Sequence, residues 1–566
     1  MKKLIALLLA LVMVIAMVAC GNANAPEETK APAKETEAPA KETEAPAADE
    51  TEAPAEEEPV KITIGMKKKD TVEDYDTNTM TQIVEERLNV DIEWVYFSSD
   101  NAEYATQFGL MTTNGEELPD IVVAMSSISL YNEYGQQGYF IDLKPYMTDP
   151  EKTPTFDMQM TTCGDAEREF LLGQITCPAD GAIYNWPTFM VANVNKTQHH
   201  QYINQAWLDE LGMEVPTTPD EMYEFLKAVK EAHPEGVGVI GALGYRANVI
   251  EWLINAYIYC YDQYFWNVEN GQLYAPYNTD EYRQGLIYCN KLYAEGLIDP
   301  VTLTTSKDSD CIPYSTPSGS EHAGAALCAG HPQLSMENGH PGVLEYAPAV
   351  VLNAGTGKGG FQGWRTNTIE VGCGITTDCE NVDKAIELLD FMCSPEMTIT
   401  SQSGIEGIHW NWVEKDSGKT SYVGIPSTYE KDESIPSIWQ QQNNYIWNQD
   451  LCSVWNDNAI SVWNDDGSFN ANRSKLTADH YWSNMSVAEP AEVCRELVYL
   501  PDEQEVVDEV KNVLIDYVRS QTHLFVSGDL DPNNDADWEA FCQGLVDQGM
   551  EDWQAVAQAA YTRMNG

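Results

Sequence analysis

Short apolar runs alternate with amphipathic stretches between residues 60 and 125. The runs VKITIGM (60–66), DIEWVYF (91–97) and ELPDIVVAM (117–125) predict strands, and the stretches between them predict helices. Strands and helices that alternate at this spacing form βαβ units with a mainly parallel sheet. Because such sheets bind ligands beyond the carboxyl ends of their strands, we expect the loops after these three strands to border any binding site.

The stretch VPTTPDEMYEFLKAVKEA (215–232) carries a complete set of helix signals. Thr218 is the predicted N-cap, Pro219 takes the first helical position, and Glu221 closes a capping box. The apolar residues that follow have the spacing of one buried helix face: Met222, Phe225, Leu226 and Val229.

Three other amphipathic stretches also predict helices: 279–300, 381–396 and 538–564. The first is capped at Thr279 and stops at Gly296. The last is predicted to be two helices that are broken at Gly549.

The first twenty residues combine a positive start with an apolar run. Two lysines precede sixteen apolar residues (4–19), whereas a membrane span needs about 20. The following Ala19-Cys20-Gly21 resembles the lipobox of bacterial lipoproteins, although Met17 stands where Leu is usual. The resemblance implies that 1–19 is a signal peptide and that Cys20 becomes a lipidated N-terminus, held in the membrane by two or more acyl chains. The alternative is a plain secreted protein in which Cys20 is incidental.

Residues 21–59 repeat a short motif, with APAKETE at 31–37 and again at 38–44. Recurrent Pro and dense Glu, with almost no large apolar side chain, favour an extended chain that cannot bury enough surface to fold. We therefore expect residues 20–59 to be the lipidated cysteine and a disordered stalk, with a folded part that begins near Val60.

The chain has a formal net charge of −57, of which residues 1–20 contribute +2 and residues 21–59 contribute −9, leaving −50 on the remainder. Such a charge excludes nucleic acid as a partner and disfavours anionic ligands.

Twelve of the 13 cysteines remain after Cys20, none in a CxxC pair, and buried apolar roles are favoured over a disulfide framework. No catalytic, metal or cofactor signature survives inspection, so we expect no cofactor and no bound metal.

Several separated blocks resemble the family 1 extracellular solute-binding proteins, the lipoprotein receptors of ABC importers, and their large oligosaccharide-binding branch in particular. The blocks include NQAWLDELGMEVPTTPDEMYEFLKAVKEA (204–232), NVENGQLYAPYNTDEYRQGLIYCNKLYAEGLIDP (267–300) and SGIEGIHW (403–410). Two departures stand out: Asn204 occupies a position where the family commonly has Arg, and HPEGVGVIGALGY (233–245) lacks the calcium loop of some members.

The resemblance implies an α/β fold of the periplasmic-binding-protein type II, with two lobes that close on an oligosaccharide by hinge motion. It implies delivery to the transmembrane subunits of an ABC permease, on the extracytoplasmic face of the membrane and without catalysis. We expect a monomer. The predicted segments are 60–190 for lobe 1, 191–368 for lobe 2, 369–425 for the return to lobe 1, and 426–566 for a mainly helical second part of lobe 2.

An oligosaccharide needs flat aromatic rings for its C–H faces and polar side chains for its hydroxyl groups. The chain has 15 Trp and 29 Tyr, but aromatic residues are also the usual material of protein cores. The candidate ligand-binding residues are Ser126, Ser127, Tyr184, Trp186, Trp252, Trp364, Arg365, Glu406, His409 and Trp410, with Gly330-His331 as a weaker addition.

Each candidate has an alternative interpretation. Core packing competes for Trp186 and is favoured for Trp252, while Arg365 could form a surface ion pair. A structural turn held by two glycines competes for the block 403–412.

Four tryptophans recur every eight residues, from Trp439 to Trp463. On a helix this spacing gives a drifting stripe, and we favour packing on the second lobe over a wall of the ligand site, with one or two of the four tryptophans reaching the ligand. Two other functions remain open: a cell-surface glycoside hydrolase, because the chain is rich in Trp and in acidic residues, and a receptor for peptides or amines.

Overall fold

The computed structural model describes residues 58–192, 201–242, 248–260, 265–305, 324–329, 345–361, 369–463 without 422, 433, 436 and 450, and 490–565, with the single positions 476, 479, 483 and 487. They belong to one compact unit, Glu57–Gly566. The strands are β1 Val60–Lys67, β2 Val90–Phe97, β3 Ile121–Val123, β4 Trp186–Met190, β5 Gln201–Asn204, β6 Val237–Ile240, β7 Asn267–Glu269, β8 Gln272–Tyr274, β9 Ala325–Ala329, β10 Tyr346–Pro348, β11 Ile369–Ile375, β12 Trp410–Trp412, β13 Tyr429–Lys431 and β14 Ser453–Trp455. The α-helices are α1 Thr79–Leu88, α2 Asn101–Asn114, α3 Ile128–Gln136, α4 Lys144–Met147, α5 Pro154–Met160, α6 Asp165–Ile175, α7 Gln205–Leu211, α8 Pro219–Ala232, α9 Val249–Ile254, α10 Asp280–Ala294, α11 Val382–Met392, α12 Pro395–Ser403, α13 Pro501–Ser527, α14 Asp535–Asp547 and α15 Met550–Asn565.

The first sheet has six strands in the order β14-β4-β11-β3-β1-β2. β1 pairs in parallel with β2 and β3, β4 pairs in parallel with β14, and β11 runs antiparallel to β3 and β4. Every strand of this sheet except β11 therefore runs in the same direction. Because α1 and α2 connect β1, β2 and β3, the predicted βαβ units are confirmed. We call this sheet and the helices on it the first lobe.

The second sheet has four strands in the order β10-β5-β9-β6. β6 and β9 are parallel, and β5 runs antiparallel to both of its neighbours, β9 and β10. We call this sheet and its helices, which include α13–α15, the second lobe. The predicted α/β fold with helix-flanked sheets is confirmed.

The chain passes between the two sheets at their carboxyl edges. β4 ends at Met190 on that edge of the first sheet, and β5, the reversed strand of the second sheet, begins at the corresponding edge. On the return, β10 ends at Pro348 and the reversed strand β11 begins at Ile369. After the first crossing the chain enters the second sheet by β5, and after the second crossing it returns to the first sheet by β11. Each of these two strands is the reversed strand of its sheet.

Helix α8 shows why local sequence signals were sufficient to predict a helix and its buried face. Thr218 Oγ1 accepts from the Glu221 N–H at 3.3 Å, and a Glu221 carboxylate oxygen accepts from the Thr218 N–H at 3.2 Å, so the capping box is present. The four predicted stripe residues are buried in the second core. The predicted break between the last two helices also holds, because Gly549 separates α14 from α15 with φ +92°.

Each lobe has its own apolar core. In the first, side chains of β1, β2 and β11 pack against α1, α5, α6 and α11. In the second, β5, β6 and β9 pack against α8–α10 and the C-terminal helices. The hydroxyl groups of Tyr282 and Thr522 lie 2.8 Å apart and join α10 to α13. The end of the chain belongs to the second lobe because its helices bury their apolar side chains in this core.

The stretch 426–463 differs from the predicted helical layer on the second lobe. It contains the short strands β13 and β14, and β14 is an edge strand of the first sheet. Trp447 is buried in the first core, where its Nε1 donates to Thr81 Oγ1 at 2.9 Å. The eight-residue spacing of the tryptophans therefore does not mark a helix: Trp455 lies in β14, and none of these residues lies in a described helix.

Residues 491–500, which we call the strap, contact both lobes. Trp553 Nε1 of α15 donates to the Tyr499 hydroxyl at 3.2 Å, which holds the strap on the second lobe. Arg495 donates from both terminal nitrogens to the Glu167 carboxylate of α6 in the first lobe, with a shortest distance of 3.0 Å.

The described cysteines are free thiols, and most of them are buried. None of the helices in the described part of the chain has the length and the apolar character that a membrane crossing requires. Cys20 and the apolar run 4–19 lie outside the described residues.

Candidate functional site

The carboxyl edge of the first sheet is where the loops after β1, β2 and β3 lie. The helices that follow these strands begin there, and each is capped by a polar side chain. Asn78 Oδ1 accepts from the Met80 N–H at 3.0 Å, and Ser127 Oγ accepts from the Leu130 N–H at 3.2 Å. This edge therefore combines exposed loops, helix N-termini and side-chain oxygens, which is the usual setting of a ligand site in α/β proteins.

Tyr96, near the end of β2, is 42% exposed at this edge. Its ring lies 5.5 Å from that of Tyr75, and Lys68 Nζ lies 5.1 Å from its centroid. Burial of part of the side chain and the nearby carboxylate of Asp76 raise the pKa of Tyr96 to about 12, so its hydroxyl stays protonated and can donate a hydrogen bond.

Tyr445 is held at the same edge by the first turn of α1. Its carbonyl accepts from the Met80 N–H at 3.1 Å, and its own N–H donates to Asn443 Oδ1 at 2.8 Å. The backbone is fixed by these bonds, whereas the Tyr445 side chain is 38% exposed. Its ring meets that of His409 edge-on at 4.8 Å.

The predicted turn before β12 explains the position of His409. His409 Nδ1 accepts from the Ile405 N–H at 3.0 Å, and Gly404 approaches the imidazole so closely that a Cβ there would lie 2.6 Å from its Cγ. Gly404 also has φ +94°, a conformation that side chains disfavour. Burial lowers the pKa of His409, so the ring is neutral and acts as an acceptor.

Trp410 and Trp412 lie on β12 with different exposure. Trp410 is fully buried, and its Nε1 donates to the Gly404 carbonyl at 2.6 Å. Trp412 is 42% exposed and meets the Trp410 ring edge-on at 4.9 Å. The buried tryptophan thus supports the exposed one, and Glu406 between the two glycines of the turn is exposed as well.

Three of the aromatic candidates lie in cores. Trp186 is fully buried and packs edge-on against Phe156 at 5.2 Å. Tyr184 packs closely on Gly135, and its hydroxyl donates to an Asp180 carboxylate oxygen at 2.8 Å. Trp252 is buried in the core of the second lobe. In this conformation all three side chains pack in a core, which agrees with the core-packing interpretation and not with ligand stacking.

The remaining candidates divide into two groups. Ser126 is exposed in the loop after β3, and Ser127 uses its hydroxyl as the N-cap of α3. Trp364, Arg365 and the pair 330–331 lie outside the described residues.

Sequence reasoning missed the exposed aromatic residues, which are Tyr96 and Tyr445 at this edge and Trp412 on β12. Tyr96 stands one residue before the end of a predicted strand, and Trp412 stands two residues after a chosen tryptophan. Their exposure depends on which neighbours cover them, and the local pattern contains no such information.

In the second lobe, a pocket lies at the start of α9, which follows β6. It is lined by Asn248, Ile250, Glu251, Ile254, Cys260, Tyr277, Tyr282, Val518, Arg519, Thr522 and His523. Asn248 Nδ2 donates to the Glu251 carboxylate at 3.0 Å, and burial together with Arg519 lowers the pKa of His523. Among the residues that the structure describes, no group of three His, Cys, Asp or Glu side chains could hold a metal ion.

Residues 73–399, more than half of the chain, match the family described as bacterial extracellular solute-binding protein. Lipoprotein LipO of Bacillus subtilis (strain 168) is 27% identical over 218 residues, covering 37% of this chain and 39% of LipO. The fructooligosaccharide ABC transporter substrate-binding protein FusA of Streptococcus pneumoniae serotype 4 is 25% identical over 244 residues, covering 40% of this chain and 42% of FusA. The matched segment therefore spans about two-fifths of the length of each relative.

Solved structures resemble nearly the whole chain. The HMO binding ABC-transporter associated solute-binding protein from Bifidobacterium longum infantis ATCC 15697 superposes with a TM-score of 0.68 at 21% identity, covering 89% of this chain and 98% of that one. At this identity the likeness shows the fold, and the match to the family profile shows the relationship. The chain belongs to the bacterial extracellular solute-binding proteins.

Proposed function

We propose that the protein is the substrate-binding receptor of an ABC importer, that it captures an oligosaccharide between its two lobes, and that it delivers the sugar to the permease. The observation that carries the proposal is the group of exposed aromatic side chains of the first lobe: Tyr96 and Tyr445 at the carboxyl edge of the sheet, and Trp412 on β12, three residues after His409, whose ring contacts Tyr445. Family membership and relatives such as FusA, whose name states a fructooligosaccharide, support the same class of ligand.

The chemistry of this edge fits a polyhydroxylated, uncharged ligand. Aromatic rings stack on the C–H faces of sugars, and nearby Asp and Asn side chains can bind hydroxyl groups. Asp74 and Asp76 are exposed beside Tyr96. Neutral His409 uses Nδ1 to accept from the Ile405 N–H, so its proton is on Nε2, which is a donor near Tyr445. Exposed carboxylates beside the rings disfavour an anionic sugar, as does the net charge of −57.

The connections between the sheets support hinge closure. The chain passes between the carboxyl edges of both sheets, so a ligand at the first edge can also reach the second lobe when the lobes approach. A sugar that contacts both lobes only in the closed state shifts the population toward that state by its differential affinity. The permease would then recognise the closed, loaded form.

The N-terminal residues 1–59 support a location at the outer face of the cell membrane. In the proposed form Cys20 is lipidated after removal of residues 1–19, and the acidic repeats hold the folded part away from the membrane surface. A lipid anchor with two or more acyl chains suffices for stable attachment. Mass spectrometry of the membrane-extracted protein would show a diacylglyceryl Cys20, and a free, unmodified N-terminus elsewhere would overturn the anchor but not the receptor.

Ligand binding is tested by thermal shift of the protein with neutral oligosaccharides, uronic-acid oligosaccharides and short peptides. A bound ligand at a hundredfold excess over its Kd stabilises the folded state by about 2.7 kcal/mol, a visible shift. We expect a shift with neutral oligosaccharides. A shift with peptides alone would keep a receptor and overturn the sugar.

A glycoside hydrolase is distinguished from a receptor by its products. After prolonged incubation with the bound oligosaccharide, chromatography should recover the sugar at its original length. Shortened products that disappear together with binding in a site variant would assign catalysis to the same site and contradict a pure receptor.

A further inference from the structure

Three buried cysteines meet in the first core. Cys373 lies on β11, Cys393 is the C-cap of α11, and Cys452 directly precedes β14. The sulfur atoms of Cys393 and Cys452 are 3.9 Å apart, and Cys452 also interacts with Cys373. Both Cys393 and Cys452 are almost completely buried.

We propose that Cys393 and Cys452 form a disulfide bond when the exported chain folds in an oxidising environment. A sulfur separation of 3.9 Å is a contact of two thiols, and formation of the bond requires the sulfur atoms to approach to about 2.05 Å. The proposal uses the extracytoplasmic location of the proposed function, because disulfides persist outside the cytoplasm.

The reaction balances with a low-molecular-weight disulfide as the oxidant. The two thiols lose two electrons and two protons as the bond between their sulfur atoms forms, and the oxidant is reduced to two thiols, one of which leaves at each exchange step. Cys373 is the third thiol and remains reduced.

Burial determines when this reaction occurs. The thiolate is the attacking species, and burial raises the pKa of the Cys452 thiol well above its ordinary value. The oxidant also has no path to a fully enclosed sulfur. The bond therefore forms before the first core closes, and a chain that has folded with reduced thiols keeps them.

The position of the bond connects it to the candidate site. It would close a loop whose ends are 59 positions apart, and that loop carries His409, Trp412 and Tyr445. Cross-linking restricts the unfolded chain more than the folded one. We expect the bond to raise the melting temperature of the first lobe by about 5–10 °C and to hold the base of the aromatic segment in place.

Refolding of the full chain tests the proposal. The protein is refolded from denaturant with reduced and oxidised glutathione, or with reductant alone, and free thiols are then alkylated under denaturing conditions for peptide mass spectrometry. We expect a Cys393–Cys452 peptide pair after oxidative refolding only. We also expect none when the reduced, folded protein is exposed to oxidised glutathione. A map without this pair, or with Cys452 joined to Cys373, would overturn the proposal.

Variants give an independent measurement. Cys393→Ala and Cys452→Ala should each abolish the difference in melting temperature between oxidatively and reductively refolded protein. Cys289→Ala, which removes a fully buried thiol of the second lobe, should preserve that difference. A difference that persists in Cys393→Ala contradicts the proposal, and the wild-type peptide map decides the question if a variant does not refold.

Discussion

Both lobes bury aromatic residues in their cores, but the two lobes differ in the aromatic residues that they expose. In the described part of the first lobe, Tyr96, Trp412 and Tyr445 are exposed, and two of them, Tyr96 and Tyr445, lie at the carboxyl edge of its sheet. In the described part of the second lobe, the exposed large apolar side chains are Val513 and Leu524, both on α13, and neither is aromatic. Among the described residues, aromatic side chains thus form part of both cores, and in the first lobe they form part of the surface as well.

The difference has a structural cause. The second lobe packs its aromatic rings between helices, as where Phe265 and Trp266 contact Trp553 of α15 at 4.8 and 5.1 Å. The exposed rings of the first lobe lie on an edge strand, on a two-stranded sheet and on a loop, which have fewer covering neighbours. An exposed ring on a rigid backbone supplies contact area at a low cost in conformational entropy, which suits ligand binding.

The largest effect should come from removing a core tryptophan in either lobe. Trp186→Ala and Trp252→Ala should each lower the free energy of unfolding by about 3–5 kcal/mol, because each leaves a large cavity. Urea denaturation measures the change. A variant with unchanged stability and lost oligosaccharide binding would assign that tryptophan to the ligand site and contradict its assignment to the core.

The next largest effect should be on affinity. Trp412→Ala and Tyr445→Ala should each weaken oligosaccharide binding by about tenfold, near 1.4 kcal/mol, because each removes a stacking surface. Their stability should stay within about 0.5 kcal/mol of wild type, as expected for exposed positions. Leu524→Ala is the matched control in the second lobe, and an equal loss of affinity there would contradict the assignment.

Each lobe also has a histidine whose pKa is lowered by burial, His409 in the first and His523 in the second. Below a pH of about 6.5 the unfolded chain binds protons that the folded chain does not, so the free energy of unfolding should fall as the pH decreases from 7 to 5. His409→Gln and His523→Gln should each flatten this slope in thermal melts at several pH values. A free energy of unfolding that falls more steeply with decreasing pH in the variants would contradict the lowered pKa of these histidines.

The smallest effect should come from the contact between the strap and the first lobe. A double-mutant cycle with Arg495→Ala and Glu167→Ala should give a coupling energy of about 0.5–1 kcal/mol, because the pair is partly exposed to solvent. Unfolding of the four proteins in urea supplies the values. A coupling near zero would show that the other contacts of the strap are sufficient to hold it.

Local sequence signals were sufficient where a structure depends on neighbouring residues. The capping box of Thr218 and Glu221, the strand β1 and the break at Gly549 all rest on patterns within a few positions. Local sequence signals failed where the exposure of a side chain or the pairing of a strand depends on distant segments. For Trp186 the sequence left ligand stacking and core packing open, and its burial depends on distant segments: β14 and β11 pair with β4 on both sides, and Phe156 of α5 packs on its ring.

The stretch 426–463 shows the same limit in another form. Its regular tryptophan spacing suggested a helix, but the chain there is fixed by distant partners: Asn443 N–H donates to the Thr71 carbonyl at 2.9 Å, and β14 pairs with β4. The exposed Tyr445 follows from those contacts. No local period could have predicted it.

The most direct test of the central claim is calorimetric titration of the oligosaccharide found by the thermal-shift screen into wild type and the double variant Trp412→Ala/Tyr445→Ala. If the carboxyl edge of the first sheet holds the sugar, affinity should fall about a hundredfold while the melting temperature of the free protein is unchanged. Wild-type affinity in the double variant would contradict the claim and place the sugar elsewhere on the protein.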